Sequence, residues 1–213
     1  DRSDWVKLMT LHQARLNQGS IDDIFQQEEL WMECGQVYLH ELNQKQHAFE
    51  SFCQAFRLNP TQTSVRDHLF DLVDELTAWS TLRPFIEESL TQVRDPEMAA
   101  QDHLRLAQWA ETHFNDLDRA VIHYQDAFKL DEEQTQALNA LERIFENRQD
   151  WSSLAQILTA RLNLTFDDDQ RIPLLMTIGQ LRFNRLDRTD EAIRAYEDVL
   201  LMDDTHVEAY NAL

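Results

Sequence analysis

Residues 48–58 read AFESFCQAFRL, and the pattern returns as AVIHYQDAFKL at 120–130 and as AIRAYEDVLLM at 192–202. The residue number advances by a constant step of 72 between them, with alanine first and an aromatic residue fifth, and no gap is needed to align them. Other residues keep the same step, including Gln36, Gln108 and Gln180. A fixed internal period predicts a stack of supersecondary units, each contacting mainly its neighbours. Such architectures usually bind other proteins.

The composition predicts that the repeated units are helical. The 213 residues include only 3 Gly and 4 Pro, which disfavours long loops and many hairpin turns. Apolar residues recur at helical spacing in segments of ~12–16 residues. Breaks between these segments are predicted at Asn17-Gln18-Gly19-Ser20, at Asn59-Pro60 and at Arg94-Asp95-Pro96. We therefore predict an all-α fold.

The phase of the repeat predicts a single solenoid over residues 1–213. Its start matches the end of a unit, because Trp5-x-x-Leu8 has the form of Trp79-x-x-Leu82. The predicted segments are 1–20 as the last helix of a preceding unit, 21–100 and 101–172 as two full units, and 173–213 as a partial third unit. Because the period is cut at both ends, we expect either a fragment of a longer repeat protein or atypical ends that act as caps.

Each repeat unit divides into two helical hairpins of roughly 36 residues, close to the 34-residue tetratricopeptide period. The first hairpin carries a series of small, aromatic, alanine and proline positions, namely Gly35, Tyr38, Ala48, Phe52, Ala55 and Pro60. This series resembles the tetratricopeptide-repeat family, in which small residues let two helices approach and aromatic residues fill the adjoining space. The resemblance implies a right-handed α-solenoid of antiparallel helix hairpins, a superhelix that binds other proteins and needs no cofactor.

The chain also departs from the family pattern. The spacing from Gly35 to Ala48 is one residue longer than usual, and Pro60 is not repeated in the later units. The alternate hairpins carry Trp79-x-x-Leu82 and Trp151-x-x-Leu154 in place of the small residues. These hairpins are therefore degenerate, and the resemblance specifies the fold and not the ligand.

The charge limits the possible partners. A formal net charge of −20 disfavours nucleic acid and anionic membrane surfaces, and it favours basic or neutral protein partners. No apolar stretch reaches the ~18 residues of a membrane span, so no membrane insertion is expected. Cys34 and Cys53 are interpreted as buried, reduced thiols. The composition is compatible with a bacterial protein, with the cytoplasm favoured and the periplasm possible, although it does not determine the compartment.

No catalytic motif is evident, and we expect neither an enzyme nor a bound cofactor or metal. The sequence contains no glycine-rich phosphate loop, HExxH, CxxC or nucleophile elbow. His40 and His47 are seven residues apart, but a turn is predicted between them. The acidic runs at Asp22-Asp23, Asp116-x-Asp118 and 167–169 fall at helix junctions, where capping is the favoured interpretation. The repeated tryptophans are interpreted as packing residues, and Trp31 and Trp109 as packing residues or exposed binding anchors.

Polar residues recur on one face of the first helix of each unit. They stand at i, i+4 and i+7, and they are Gln36, His40 and Asn43, then Gln108, Thr112 and Asn115, then Gln180, Asn184 and Asp187. The resemblance implies that this face lines a concave groove, to which the alternate hairpins add Phe70, Asp74, Glu142 and Glu146. Such an amide- and acid-rich groove suits an extended peptide or a partner helix carrying Lys or Arg. The alternative is a solvated surface without a ligand.

Three interpretations of function therefore remain from the sequence. The first is a protein–protein interaction scaffold that uses the groove. The second is a structural spacer or self-associating segment that stacks through its solenoid ends, since interior repeats lack polar caps. The third is an accessory domain that recruits substrates for an enzyme or for a secretion or assembly machine.

Overall fold

The computed structural model describes residues 2–17 and 23–213, and this part of the chain contains twelve α-helices and no strand. A π-helical turn at Val37–Glu41 continues the second helix. The helices are α1 (Arg2–Asn17), α2 (Ile24–Gln36), α3 (Lys45–Leu58), α4 (Thr63–Glu75), α5 (Trp79–Ser89), α6 (Pro96–Thr112), α7 (Leu117–Leu130), α8 (Thr135–Arg148), α9 (Trp151–Leu164), α10 (Asp168–Leu186), α11 (Thr189–Met202) and α12 (Val207–Ala212). The all-α prediction and the helical hairpins are confirmed.

The helices begin at positions that repeat with the predicted period. The starts of α2, α6 and α10 are separated by the repeat step, and so are those of α3, α7 and α11, and those of α4, α8 and α12. Of the predicted break at Asn17-Gln18-Gly19-Ser20, only Asn17 is described, and Asp22 also lies outside the described residues.

Aspartates start the first helix of each unit. Asp23, Asp95 and Asp167 occupy one repeat position, and each accepts a hydrogen bond from the backbone amide two residues later, at 3.0, 3.1 and 3.2 Å. A side-chain acceptor here satisfies one of the amides that the first turn of a helix leaves without a partner. Asp116 likewise accepts from the Arg119 amide at 3.0 Å. Capping by Asp23, Asp116 and Asp167 is therefore confirmed.

The turns that follow these first helices also repeat. Asn43, Asn115 and Asp187 have φ values of 53°, 50° and 55°, which places all three in the left-handed region. The amide of the next residue bonds to the carbonyl six residues earlier, at 2.7, 2.7 and 2.9 Å. This bond spans one residue more than the 6→1 bond of the Schellman motif, and at such a left-handed helix end asparagine is tolerated more readily than most residues with a β-carbon. Backbone conformation thus gives a structural reason for the polar residue at this position.

A second repeated turn explains why Pro60 is not needed in every unit. Asn59, Asp131 and Asp203 each accept a hydrogen bond from the amide two residues on, at 3.2, 3.1 and 2.9 Å. This side-chain turn mimics a backbone turn and ends the second helix without proline. At Asp203, hydrogen bonds from the Thr205 hydroxyl and amide lower the pKa of the carboxyl group. The same side-chain geometry therefore ends α3, α7 and α11.

The chain forms two compact units, Asp1–Asp102 and His103–Leu213, so that the boundary lies within α6. In the first unit, a β-carbon added to Gly35 would lie 2.5 Å from the Phe52 ring. In the second unit, a β-carbon on Gly179 would lie 2.5 Å from the Tyr196 ring. The small residues therefore permit the close approach of paired helices that the repeat pattern predicts. The single-solenoid arrangement and its predicted boundaries stay a prediction.

The first unit buries an ion pair that the sequence did not indicate. Arg66 on α4 and Asp102 on α6 pair directly, with side chains 7% and 0% exposed. Arg66 also donates to the Pro60 carbonyl at 2.9 Å. Its guanidinium lies 5.5 Å from the ring centre of Phe56 and 5.4 Å from that of Phe70. The pair therefore joins α4 to the first part of α6.

The cysteines and tryptophans occupy packing positions. Cys34 and Cys53 are buried free thiols, and burial raises their pKa values to about 11 and about 12. Their interpretation as reduced thiols is confirmed. Trp109 is 6% exposed, which excludes it as an exposed anchor. Trp151 packs against the core of the second unit, with the Arg185 guanidinium 5.0 Å from the centre of its ring.

Candidate functional site

The most consistent polar feature is a glutamine at one repeat position. Gln36 on α2, Gln108 on α6 and Gln180 on α10 are all exposed. None of the three amides forms a hydrogen bond to another side chain in the described part of the chain. A primary amide offers both a donor and an acceptor, which matches the backbone of an extended peptide. These repeated glutamines are therefore available for recognition.

Other predicted groove residues have partners within the protein. The Thr112 hydroxyl donates to the Gln108 carbonyl at 2.7 Å. Asn43 and Asn115 hold the left-handed turns, although both residues are exposed. The His40 ring lies 6.4 Å from the His68 ring in an edge-on arrangement, which connects the π-helical turn after α2 to α4. Their recurrence thus has a local structural explanation besides any ligand.

The hydrophobic and acidic members of the predicted groove are also partly engaged. Phe70 is half-buried beside Arg66. Asp74 accepts a hydrogen bond from the Trp79 indole at 2.8 Å, and Glu142 pairs with Arg161 at 2.8 Å. Glu146 is exposed and forms no ion pair within the described residues. The negative charge of the predicted groove is therefore smaller than its composition indicates.

An exposed aromatic residue on α10 was missed in the sequence analysis. Phe183 is 56% exposed and lies three residues after Gln180 and one before Asn184. The spacing places all three side chains on adjoining parts of one helical surface. The equivalent position one unit earlier is Glu111, which pairs with Arg143 on α8. This repeat position holds Leu39, Glu111 and Phe183 in turn, and the exposure of the phenylalanine is what identifies Phe183 as a candidate anchor.

The second unit brings these elements into one compact body. Glu111 on α6 and Arg143 on α8 form an ion pair, which makes these two helices neighbours. Ala107 and Ala110 of α6 share a core cluster with Ile178 and Leu181 of α10. We define the second-unit polar face as Gln108, Glu146, Gln180, Phe183 and Asn184. It contains amide, acidic and aromatic groups, the combination that suits a peptide with a polar backbone and one apolar side chain.

Each unit also contains an open cleft outside the predicted groove. In the first unit, a cleft of about 390 Å³ is lined by Trp31, Tyr38, His47, Glu50, Ser51 and Gln54. Trp31 is half-buried there and remains a candidate anchor. In the second unit, a cleft of about 340 Å³ includes Arg182 and Arg188. Both arginines pair with Glu191, at 3.3 and 3.6 Å.

Two histidines meet between α6 and α7 in the second unit. The Nδ1 atoms of His103 and His123 lie 3.0 Å apart, so one nitrogen donates a proton and the other accepts it. Burial, and then the nearby His103, lower the pKa of His123 to about 4. Asp126 opposes this shift and Arg119 reinforces it. The folded second unit therefore favours neutral His123.

We expect the second unit to lose stability as the pH falls from 6.5 towards 4. In that range the unfolded chain binds a proton at His123 that the folded chain excludes. The stability that neutral His123 contributes is therefore complete above pH 6.5 and is lost as the pH falls. We expect the loss to reach ~1–2 kcal/mol, because solvent screens a half-buried site. Urea unfolding at several pH values measures it. His123→Gln should reduce the pH dependence and exposed His113→Gln should not, and equal dependence in both variants would disprove the assignment.

The described residues hold neither a cluster of metal ligands nor a membrane-spanning helix. No three His, Cys, Asp or Glu side chains in residues 2–17 and 23–213 come together as a set that could hold a metal ion. None of the helices in these ranges is both long and apolar enough to cross a membrane.

Comparison with known proteins finds a family match over the first hairpin. The tetratricopeptide-repeat family model matches residues 28–62, which include Gly35 and Phe52. The MamA crystal structure is similar over 85% of this chain and 94% of that chain, at 12% identity and a TM-score of 0.47. The crystal structure of a thermophilic TPR protein from Thermus thermophilus is similar over 86% of this chain and 95% of that chain, at 15% identity and a TM-score of 0.34. The TPR2AB domain of yeast Sti1 in complex with pHSP90 is similar over 87% of this chain and 81% of that chain, at 14% identity and a TM-score of 0.39. No curated protein sequence matches this chain.

Proposed function

We propose that this chain, a tetratricopeptide-like helical repeat protein, is a protein–protein interaction scaffold that binds an extended peptide segment of a partner. The observation that supports this most is the exposed, unpaired glutamine that recurs at one repeat position. Recognition of a peptide backbone uses a donor and an acceptor at regular intervals, and the repeated amides offer both.

The proposed contact surface in the second unit is the second-unit polar face. Gln108 and Gln180 bind the peptide backbone, Asn184 adds a further amide, and Phe183 provides apolar contact area. Exposed aromatic residues contribute strongly to protein interfaces because they bury a large area at a low entropic cost. In the first unit, Gln36, His40, Asn43, Phe70 and Asp74 form the corresponding proposed surface, in which Gln36 is the principal contact.

The charge favours a basic or neutral partner. The chain has a net charge of −20, and Glu146 is exposed without an ion pair among the described residues. Carboxylates attract Lys and Arg at short range and accelerate the encounter with a cationic peptide at low salt. Glu142, which pairs with Arg161, is less available for this role. A peptide with a Lys or Arg near its apolar anchor therefore fits the second-unit polar face.

The proposal predicts that a small set of substitutions weakens peptide binding strongly. Peptides are selected from a random library on the whole chain, then labelled and titrated by fluorescence polarisation. We expect Gln108→Ala, Gln180→Ala and Phe183→Ala together to weaken binding by tenfold or more, because an anchor and two sets of hydrogen bonds are lost. Glu146→Lys should weaken basic peptides selectively.

A matched triple variant provides the control. Gln54→Ala, Gln156→Ala and Phe166→Ala remove the same residue types from exposed positions elsewhere, and we expect affinity within about twofold of the wild type. Gln54 and Gln156 each line one of the two clefts, so this variant also tests the clefts as binding sites. Loss of binding in the control alone would transfer the function to the clefts and reject the proposal.

A further inference from the structure

We propose that the open cleft of about 390 Å³ in the first unit binds the side chain of an arginine that a partner protein carries. The cleft is lined by residues of α2, of its π-helical turn and of α3, and we name it the first-unit cleft. This inference does not rest on the proposed peptide site, because the first-unit cleft includes neither the repeated glutamines nor any residue of the second-unit polar face.

Aromatic side chains form part of the lining of the first-unit cleft. Trp31 on α2 is half-buried, and Tyr38 on the π-helical turn is buried. The Tyr38 ring lies 5.3 Å from the His47 ring of α3, measured between ring centres, with 31° between the ring planes. The faces of tryptophan and tyrosine rings attract cations, and a guanidinium stacks on them readily because it is weakly hydrated. The lining therefore suits a planar cation.

A carboxylate lies beside this aromatic lining. Glu50 on α3 is exposed, and its Oε1 atom accepts a hydrogen bond from the Gln46 side chain at 3.1 Å. Within the described residues Glu50 forms no ion pair, so its charge remains available to a ligand. Burial, and after it the nearby Cys34 and Glu50, raise the pKa of the Tyr38 hydroxyl. The carboxylate is thus close enough to the tyrosine to act on it.

The basic residues at the two ends of α3 do not neutralise this carboxylate, because they are paired elsewhere. Lys45 pairs with Glu75, and Arg57 pairs with Glu88 at 3.4 Å. Of the described residues that line the first-unit cleft, none is a lysine or an arginine. The net charge of −20 adds a long-range attraction for cations. A positively charged ligand is therefore the class that the first-unit cleft favours.

Hydrogen-bond acceptors favour a guanidinium over other cations. The Ser51 hydroxyl donates to the His47 carbonyl at 2.8 Å, which leaves its own oxygen as an acceptor beside those of Glu50 and Gln54. A guanidinium offers five donors in one plane, whereas a quaternary ammonium offers none and would leave these acceptors unpaired. The volume lies within the usual range of ligand sites, about 300–1,000 Å³. Because the first-unit cleft is open, it also admits the chain that carries the arginine.

The later repeats do not keep this combination of residues. The positions of Trp31, Tyr38 and Glu50 hold, one and two repeat steps later, His103, Ala110 and Ile122, and then Leu175, Arg182 and Arg194. Packing of the repeated hairpin therefore requires neither the two aromatic residues nor the carboxylate. Their coincidence in the first unit is what assigns the cation site to that unit.

Nuclear magnetic resonance of the isotope-labelled whole chain tests the proposal, with Nα-acetylarginine amide as the probe. The indole N–H signal of Trp31, assigned by its loss in Trp31→Phe, should shift and saturate with a dissociation constant of about 1 mM. The Trp79 signal should not shift. Free arginine carries a carboxylate that Glu50 repels, so it should bind at least ~3-fold more weakly than the capped probe, which resembles a residue within a protein.

Two further probes separate charge from shape. Nα-acetylcitrulline amide keeps the planar head group without its charge, and we expect it to bind at least ~10-fold more weakly than the arginine probe. Nα-acetyllysine amide keeps the charge without the planar fork, and we expect it to bind at least ~3-fold more weakly.

Matched variants place the site in the first-unit cleft. Trp31→Leu should weaken binding of the arginine probe ~10-fold, and Glu50→Gln ~5-fold. The controls are Trp79→Leu, at another half-buried tryptophan of the first unit, and Glu41→Gln, at an exposed carboxylate outside the lining. Both controls should stay within about twofold of the wild type. Circular dichroism checks folding, and Glu50→Gln at its exposed position keeps the test valid if Trp31→Leu does not fold.

Four results would overturn the proposal. They are an unshifted Trp31 signal, citrulline or lysine probes that bind as tightly as the arginine probe, unchanged binding in Glu50→Gln, and free arginine that binds more tightly than the capped probe. The last result would make the ligand a free small molecule and not a partner protein. Because these probes and variants do not touch the second-unit polar face, none of these results bears on the proposed peptide site.

Discussion

Replacing Arg66 by leucine is expected to lower the free energy of unfolding of the first unit by about 3–5 kcal/mol. The substitution leaves the Asp102 carboxylate, which is fully buried, without the guanidinium that pairs with it. It also removes the donor to the Pro60 carbonyl. Urea unfolding followed by tryptophan fluorescence measures the loss, because Trp5, Trp31 and Trp79 belong to the first unit.

The repeat itself supplies the control for this prediction. One repeat step later, the positions of Arg66 and Asp102 are occupied by Leu138, in the core of the second unit, and by Leu174, which packs against that core. The double variant Arg66→Leu with Asp102→Leu should therefore recover most of the lost stability, since an apolar pair can replace a buried ion pair. A double variant as unstable as Arg66→Leu alone would show that the loss does not come from the buried Asp102 carboxylate losing its guanidinium.

Phe52→Ala is expected to destabilise the first unit by about 3–5 kcal/mol. The Phe52 side chain is fully buried and faces Gly35 across the α2–α3 hairpin. Its ring stacks on the His68 ring, with 4.7 Å between the ring centres. Removing the ring leaves a cavity, and Gly35 has no side chain that could fill it. The same urea experiment measures this loss.

Two substitutions separate the packing of the ring from other effects. Phe52→Tyr keeps the ring and copies the tyrosines of the other two repeats, so it should cost much less than Phe52→Ala. Gly35→Ala should cost about 1–3 kcal/mol, because its β-carbon would meet the ring at 2.5 Å. A Gly35→Ala variant as stable as the wild type would contradict the close approach described for this hairpin.

Much of the fold could be predicted because the repeat encodes it locally. The constant repeat step places the helix starts, and the small and aromatic positions at Gly35 and Phe52 predict the close hairpin. The Asx turns at Asn59, Asp131 and Asp203 show why loss of Pro60 in later units did not alter the architecture. These features depend on short-range geometry, which sequence patterns report well.

The candidate site was harder to predict because side-chain partners are set by tertiary structure. Helical spacing correctly placed Gln36, Gln108 and Gln180 on the surface. It could not show that Asp74 accepts from Trp79 or that Glu142 pairs with Arg161, because each pair joins two different helices.

The burial of Arg66 and Asp102 was missed for a related reason. Charged residues are seldom buried unless they are paired, and the partner here is 36 residues away. Phe183 was overlooked because a phenylalanine at helical spacing is usually part of a core. Its exposure became clear only when the neighbouring helices were in place.

The central claim is that a partner peptide binds at the second-unit polar face, and site-specific photo-crosslinking tests it most directly. A photoreactive phenylalanine analogue is placed at Phe183 or at Phe166, which is 89% exposed and lies outside the face. With a peptide bound to the whole chain, crosslinking should occur at position 183 and not at 166. Crosslinking at 166 alone, or at neither position while the peptide remains bound, would contradict the account.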